Sequence, residues 1–331
     1  MQRVFVIGGT GFLGYHAIQE FLAKGWGVTA LGLPPAHPLD SSAASSGQTL
    51  YPAAVKLILQ NLDTASDEEL VALLRGHEAM VFAAGLDDRY TLKKPAYPRF
   101  YQANVESLRR LLILAKKAGV KRTVVLGSYF VHFNRQWPDL KLAERNPYIR
   151  SRLEQEKVTT SIHGLDGMVL ELPYIFGAMP ISGWKPLWAP LVKYIRFSKI
   201  IFYMKGGTAC VSARTVGRAI VAAVERGEAG KVYPIGQENL TWRQMLTRLA
   251  RADERTCRIL TLPIWTIKLG MFGILLVHNL QGKEGFLNLR YFAQLQTAET
   301  FFDPQPSKEA LGYQTCGLDE AFQEMVEACK S

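Results

Sequence analysis

Apolar residues along this chain gather in short runs that alternate with longer, helix-length stretches. The runs are "RVFVIG" (3–8), "GVTALGL" (27–33), "VKLILQ" (55–60), "AMVFAAG" (79–85), "RTVVLGS" (122–128) and "GMVLEL" (167–172). Each is apolar nearly throughout, as expected of a strand covered on both faces by helices. The helix-length segments between them fall at 12–24, 67–75, 98–119 and 147–163. Repeated strand–helix units of this kind predict a parallel sheet joined by right-handed crossovers. The fold class expected is therefore α/β, a doubly wound parallel sheet.

After "PYIFG" (173–177) the rhythm loosens. "MPISGWKPLWAP" reads as a loop leading into a short helix, and "TACVSARTVGRAIVAAVERG" as one more strand and helix. From about residue 238 the pattern is mostly helical. We expect a main domain over 1–180, to which 208–237 returns, and a smaller, mostly helical lobe over 181–331. "SSAASSG" (41–47) reads as a flexible loop, and no internal repeat is found. The segment "LPIWTIKLGMFGILLV" (262–277) is as apolar as a membrane helix, but it has 16 residues and Lys268 interrupts it. Crossing a bilayer takes roughly 20 apolar residues. A buried or pocket-lining helix is expected, with a peripheral membrane contact or a lid over a greasy substrate as the alternatives.

Composition narrows the class. Hydrophobic residues make up 48% of the 331, so a sizeable core is available. The formal charge is +10, yet the basic residues are scattered and form no stripe interleaved with aromatics. A solvated surface with some attraction for anionic ligands or a lipid surface fits this, and a nucleic-acid partner is not expected. Cys210, Cys257, Cys316 and Cys329 lie far apart with no CxxC, which suggests reduced thiols in a cytoplasmic protein and no metal site. The N-terminal "MQRVFVIGGTG" has neither the apolar length nor the cleavage site of a signal peptide.

The chemistry begins at "VFVIGGTGFLG", which places Gly8, Gly11 and Gly14 at three-residue spacing between a strand and a helix. A turn of this kind needs a residue without Cβ, a pyrophosphate needs close approach to free N–H groups, and the helix must pack tightly on the strand. A tight structural turn is the plainer alternative. On the first strand–helix junction of a six-strand α/β chain, a dinucleotide site is the better reading. The sheet is then of the Rossmann type, the main domain is an NAD(P)-binding domain, and the second lobe is the substrate-binding lobe.

With GxxGxxG rather than GxGxxG, the chain resembles the extended, or an atypical, short-chain dehydrogenase/reductase family, NAD-dependent epimerase/dehydratase-like, over nearly its whole length. "LILQNLD" is similar to the family's third strand, "VFAAG" to its fourth, "NVESLRRLLILAKKAGVKR" to its long helix, and "ELPYIFG" to the segment beside the nicotinamide. "FDPQPSKEALGY" is similar to a segment that closes many extended members. The resemblance implies a cofactor site of Gly8, Thr10, Gly11, Phe12, Leu13, Gly14, Asn61, Leu62, Ala83, Ala84, Gly85, Asn104, Pro173 and Ile175, with Tyr148 and Arg152. It implies catalysis by Ser128, Tyr148 and Arg152, the last standing where the family has Lys. In the family the Tyr exchanges a proton with the substrate oxygen, the Lys holds the nicotinamide ribose and lowers the Tyr pKa, and the Ser orients the substrate. Arg152, four residues after Tyr148 on one predicted helix face, keeps the charge and to first order still favours tyrosinate. Its planar guanidinium does not give up a proton, so a relay through the Lys would have to be rerouted.

Cofactor choice rests on the end of the second strand, "ALGLPP", where Gly32 and Leu33 supply neither a carboxylate for ribose hydroxyls nor an Arg for a 2′-phosphate. The expectation is NAD or NADP with a weak lean to NADP, His37 or the following serines holding the phosphate. The family's sugar dehydratases follow the catalytic residue with Asp and Glu, and Tyr129 and Phe130 stand there instead. Thr208 stands where epimerases carry a diphosphate-binding Arg, though Arg214, Arg218 or Lys205 could serve otherwise. Trp184, Trp188, "IIFYM" (200–204) and the 262–277 segment are expected in or near an apolar substrate lobe. The reading is an oxidoreductase acting on the alcohol or ketone of a steroid-, lipid- or polyketide-like small molecule. The alternatives are a nucleotide-sugar epimerase and a non-catalytic NAD(P)-binding regulator. The resemblance also implies a homodimer packed through 98–119 and 147–163.

Overall fold

The computed structural model describes residues 1–34, 51–181, 184–284 and 294–330; the 41–47 loop and His37 lie outside them. Seven parallel strands form one sheet: β1 Arg3–Ile7, β2 Gly27–Gly32, β3 Val55–Leu59, β4 Ala79–Phe82, β5 Arg122–Ser128, β6 Asp166–Leu172 and β7 Val232–Pro234, in the order β7-β6-β5-β4-β1-β2-β3. The apolar runs are continuous because each strand feeds two cores at once. On β1, Val4 and Val6 join the core under helices Phe12–Ala23 and Ala213–Arg226, while Phe5 and Ile7 join the core under Asp67–Leu74 and Ser107–Lys117. The same split puts Val81 and Leu170 on the first face and Phe82 and Val169 on the second. Burying each such side chain contributes about 1.5–3 kcal/mol, so both faces hold the sheet.

The long segment at 98–119 is one helical path in three pieces, Tyr97–Tyr101, a π-helical turn Gln102–Glu106, and Ser107–Lys117. The extra residue per turn lies at Asn104, beside the cleft described below. Helix Pro147–Ser161 crosses over β5, and the remaining expected strands and helices fall within a few residues of the ranges read from the sequence.

Beyond β6 the stretch 208–237 divides between two sheets. Strand Gly207–Ser212 lies in a separate four-stranded sheet, parallel to Tyr174–Phe176 and antiparallel to Glu238–Thr241, whereas helix Ala213–Arg226 packs on Phe12–Ala23 and β7 closes the large sheet. The helical end has its own core, in which Trp242 and Met245 meet Phe322 and Phe176. Trp188 belongs to this core too, stacked on Phe176 at 5.1 Å with its indole N–H on the Ile175 carbonyl, so it is not a pocket lining.

One expectation is overturned outright. Helix Ile264–Leu280, which contains most of the apolar 262–277 segment, has no buried residue, so it is neither a buried helix nor the wall of an enclosed pocket. Sequence periodicity reports how apolar a helix is; whether anything packs against it depends on contacts distant in the chain.

Candidate active site

A cleft of about 390 Å³ opens at the C-terminal ends of the strands, beside β1, where the order of the sheet reverses. Gly11, Phe12 and Leu13 line it after β1, Ala83, Ala84 and Gly85 after β4, Ser128 at the end of β5, and Pro173 and Ile175 after β6. Tyr148 and Arg152 reach it from helix Pro147–Ser161.

The glycine turn is built for close approach. Gly8 has φ +80, and a Cβ there would lie 2.7 Å from the Ala83 carbonyl oxygen; a Cβ on Gly14 would lie 2.1 Å from the Gly8 oxygen. Gly8 and Gly9 donate their N–H groups inward to the Leu31 carbonyl at 2.8 and 2.9 Å, which closes the turn. Helix Phe12–Ala23 then begins at Gly11 with no side-chain cap, so its first N–H groups and positive dipole end meet the cleft. These residues fit a dinucleotide pyrophosphate.

Several expected contacts stand behind the cleft wall instead. Gly8 and Gly14 set the approach of helix to strand. Thr10 fills the space over Gly32, where a Cβ would fall 2.3 Å from its hydroxyl. Asn104, fully buried, accepts the Leu86 N–H at 2.8 Å and donates to the Leu86 carbonyl at 3.0 Å and the Ser151 hydroxyl at 3.1 Å, pinning the loop that carries Gly85. Asn61 accepts the Asp63 N–H at 3.0 Å and Leu62 packs beneath the helices; neither lines the cleft.

Ser128, Tyr148 and Arg152 converge. Ser128 ends β5 and caps helix Tyr129–Gln136, accepting the Phe130 N–H at 3.4 Å. Pro147 begins the next helix and Asn146 caps it, accepting the N–H groups of Tyr148 at 3.0 Å and Ile149 at 3.2 Å, which fixes Tyr148 in the first turn. The Tyr148 hydroxyl is hydrogen-bonded with Ser128, and the Arg152 guanidinium lies 5.3 Å from its ring centre. Arg152 donates to the Leu126 carbonyl at 3.2 Å, the Gln155 amide oxygen at 2.9 Å and the Leu86 carbonyl at 3.1 Å, all neutral acceptors. The expectation that the cation would favour tyrosinate is met only in part. Arg152 and Ser128 pull the Tyr148 pKa down, but burial raises it first, Asp88 and Asp87 add to that, and the balance is upward.

Asp88 was not foreseen. It is half-buried in the cleft wall, and burial, reinforced by Asp87 against Arg89 and Arg152, raises its pKa to about 6. Its charge acts on Tyr129, Tyr148 and Tyr174 alike. The available signal was position: "LDD" (86–88) follows the Ala83–Gly85 turn at the C-terminal end of β4, the side of the sheet where ligands bind.

The outer cleft is mostly aromatic, with Tyr129, Phe130, Tyr174 and Trp184 beside the aliphatic Leu187; Trp184 lies 5.2 Å from Phe12, ring to ring. Thr208 is buried beneath it and bonded to the Tyr129 hydroxyl at 2.8 Å. Arg214 is paired with Glu324 and Arg218 lies 3.6 Å from Glu20, both outside the cleft.

Behind Arg152 lies a second buried group. Glu156, one turn further along the helix, and Glu171 on β6 share Arg135, which donates to them at 2.8 and 2.6 Å. Burial raises both carboxyl pKa values, and repulsion from Glu156 adds to the rise at Glu171, to about 9.

Residues 4–236 match the NAD-dependent epimerase/dehydratase family. A protein of Synechocystis sp. named for dihydroflavonol 4-reductase is 24% identical over 279 residues, 79% of this chain and 75% of its own. The 4-hydroxy-2-methyl-3-oxo-4-farnesyl-3,4-dihydroquinoline-1-oxide ketoreductase of Stigmatella aurantiaca is 24% identical over 244 residues, 70% of this chain and 67% of its own. In fold, the chain superposes on UDP-glucuronic acid 4-epimerase from Bacillus cereus, solved with UDP-glucuronic acid and NAD, with a TM-score of 0.70 over 99% of both chains at 14% identity.

Proposed function

The chain belongs to the NAD-dependent epimerase/dehydratase family, and from that premise we propose that it moves hydride between a nicotinamide and the alcohol or ketone of an apolar small molecule. The observation that carries this is the convergence of Ser128, Tyr148 and Arg152 between the glycine turn and an aromatic outer cleft. The dinucleotide, when bound, supplies the hydride donor or acceptor. The uncapped start of helix Phe12–Ala23 holds its pyrophosphate, and Ala83–Gly85, Pro173 and Ile175 form the walls beside it. Arg152 holds the ribose. Ser128 Oγ orients the substrate oxygen, and Tyr148 Oη gives it a proton in reduction or takes one in oxidation. Asp88, with its pKa near neutrality, exchanges protons with the cleft and so replaces the relay a lysine would supply.

The relatives named as a dihydroflavonol reductase and as a ketoreductase of a farnesylated quinoline oxide support an apolar substrate. A sugar nucleotide fits less well, because Arg214 and Arg218 are occupied away from the cleft and Thr208 lies buried under Tyr129. Lys185 and Arg89 remain in the cleft wall, and they are the groups a diphosphate would use if the epimerase alternative held. The absence of a carboxylate at Gly32 and Leu33 keeps the weak lean to NADP. A homodimer through the outer faces of Tyr97–Lys117 and Pro147–Ser161 is consistent with the exposure of Ile113 there. Among the described residues no helix is long and apolar enough to cross a membrane. The test is turnover of lipophilic ketones with NADH and NADPH, against UDP-sugar binding. Reduction of the ketones without UDP-sugar binding supports the reading; UDP-sugar binding alone overturns it.

A further inference from the structure

Of the seventeen exposed large hydrophobic residues described, twelve lie on two segments, 187–202 and 264–280. Helix Ile264–Leu280 is apolar on every side and none of its residues is buried against the protein: Trp265 is 65% exposed, Phe272 63% and Leu280 81%. On the neighbouring segment Phe197 is 90% exposed. Strands Ile200–Tyr203 and Arg258–Thr261 pair side by side, so the two segments form one edge of the molecule. Charge follows the same edge. Residues 185–205 contain five Lys and Arg and no Asp or Glu, and residues 255–283 contain four and none. Asp253 and Glu254 stand just before the second stretch and Glu284 just after it. Asp253 pairs with Arg196 and Arg255, and Glu284 accepts the Ala96 N–H at 2.9 Å, leaving the lysines of the edge in excess.

The edge flanks the cleft on both sides. Lys185 and Leu187 are cleft-lining residues at its start. The far end of the helix is tied by Lys94 to Asn279 at 2.6 Å and by the strand pair Lys93–Lys283, a few residues after Asp88 and Arg89 in the cleft wall.

We infer that this edge docks the protein on an anionic phospholipid bilayer, with helix 264–280 lying in the boundary between headgroups and acyl chains. At 1.5 Å per residue the 17-residue helix is about 26 Å long, short of the roughly 30 Å hydrocarbon core, so it lies in the interface and does not span. Eight exposed large apolar side chains on one helix, continuous with four on the neighbouring segment, mark an interaction surface. Trp265 suits the headgroup level, and Lys268 extends its ammonium to the phosphates while its stem stays among the apolar side chains. A second copy of the chain would cover the helix equally well in area, but a two-fold contact would set these cations against each other, with Asp253 already paired to Arg196 and Arg255. Anionic lipid answers both the apolar and the charged feature. Delivery of a membrane-dissolved substrate to the adjacent cleft mouth rests on the function proposed above; the docking itself does not.

The test is flotation of the full chain with vesicles of phosphatidylcholine alone and of phosphatidylcholine with phosphatidylglycerol, at low and high salt. Binding to the anionic vesicles is expected to exceed neutral binding at least tenfold and to fall as salt rises. Phe272→Glu/Leu276→Glu and Lys199→Glu/Lys205→Glu should each lose tenfold or more while keeping the wild-type circular dichroism and nucleotide binding. Equal recovery with neutral vesicles, no recovery with either, or unchanged binding by both variants overturns the inference. So does a wild-type dimer in sedimentation that Phe272→Glu converts to monomer. None of these readouts uses turnover, so a lost activity and a lost membrane contact are told apart.

Discussion

Replacing Glu171 by Gln should change how stability depends on pH. Glu171 is fully buried, and it and Glu156 face a single guanidinium, Arg135. His132 lies 3.8 Å from Glu171, but burial and Arg135 lower its pKa, so near neutrality it adds no second cation. Two buried carboxylates with one cation hold a proton that the unfolded chain has released above the ordinary carboxylate range. The folded pKa of Glu171 is raised, to about 9, so the native state binds more protons than the unfolded state between roughly pH 5 and 9. Stability should therefore fall with rising pH in that window, by about 1.4 kcal/mol per unit for one proton, or about 2.7 kcal/mol from pH 6 to 8. The neutral amide in Glu171→Gln needs no proton, leaves Glu156 and Arg135 as a one-to-one pair, and should flatten this slope. The assay is urea unfolding at half-unit steps from pH 5.5 to 8.5, taking the difference between wild type and variant so that histidine titrations cancel. The variant should gain about 2–3 kcal/mol on the wild type between pH 6 and 8. Parallel curves would refute the shared proton.

Three further outcomes follow from the cleft. Tyr148→Phe removes the hydroxyl proposed to act on substrate and should lower kcat at least a hundredfold while leaving nucleotide affinity within about twofold; unchanged turnover refutes that role. Arg152→Lys leaves one ammonium where the guanidinium served three oxygens, so it should lose about 1–3 kcal/mol of stability in denaturant titration with no gain in rate. A rate gain would show that the guanidinium impairs the proton chemistry. Asp88→Asn should erase an inflection near pH 6 in the kcat/KM profile, because below that value the acid is protonated; a profile identical to wild type removes Asp88 from the mechanism.

Six of the seven strands of the large sheet and the glycine turn were legible because they are local facts, whereas the short edge strand Val232–Pro234 was not read. Val4 to Ile7 alternate between two helix-covered cores, so the run must be apolar throughout, and Gly8 and Gly14 are demanded by backbones within a few residues or one strand away. Tyr148 and Arg152 were singled out by the family resemblance, and their helical spacing placed them on one face. Asp88 could not be weighted in the same way, since its raised pKa comes from burial between segments distant in sequence. The Glu156–Glu171–Arg135 group joins a helix, a strand and another helix, and no spacing along the chain announces it. Helix 264–280 shows the converse. Its apolar character was plain, but the expectation of burial failed because no partner surface in the described chain packs over it.

The central claim is that this chain holds a nicotinamide dinucleotide against the glycine turn for Tyr148 to work beside. Calorimetric titration of wild type and Gly14→Ala with NAD+, NADH, NADP+ and NADPH tests it most directly. The Cβ of Gly14→Ala would meet the Gly8 carbonyl oxygen at 2.1 Å, a backbone contact that no side-chain rotation relieves. Saturable binding of one oxidised–reduced pair by the wild type is expected, with NADPH at least as tight as NADH and at least tenfold loss in the variant. Binding of none of the four by a folded wild type would contradict the claim.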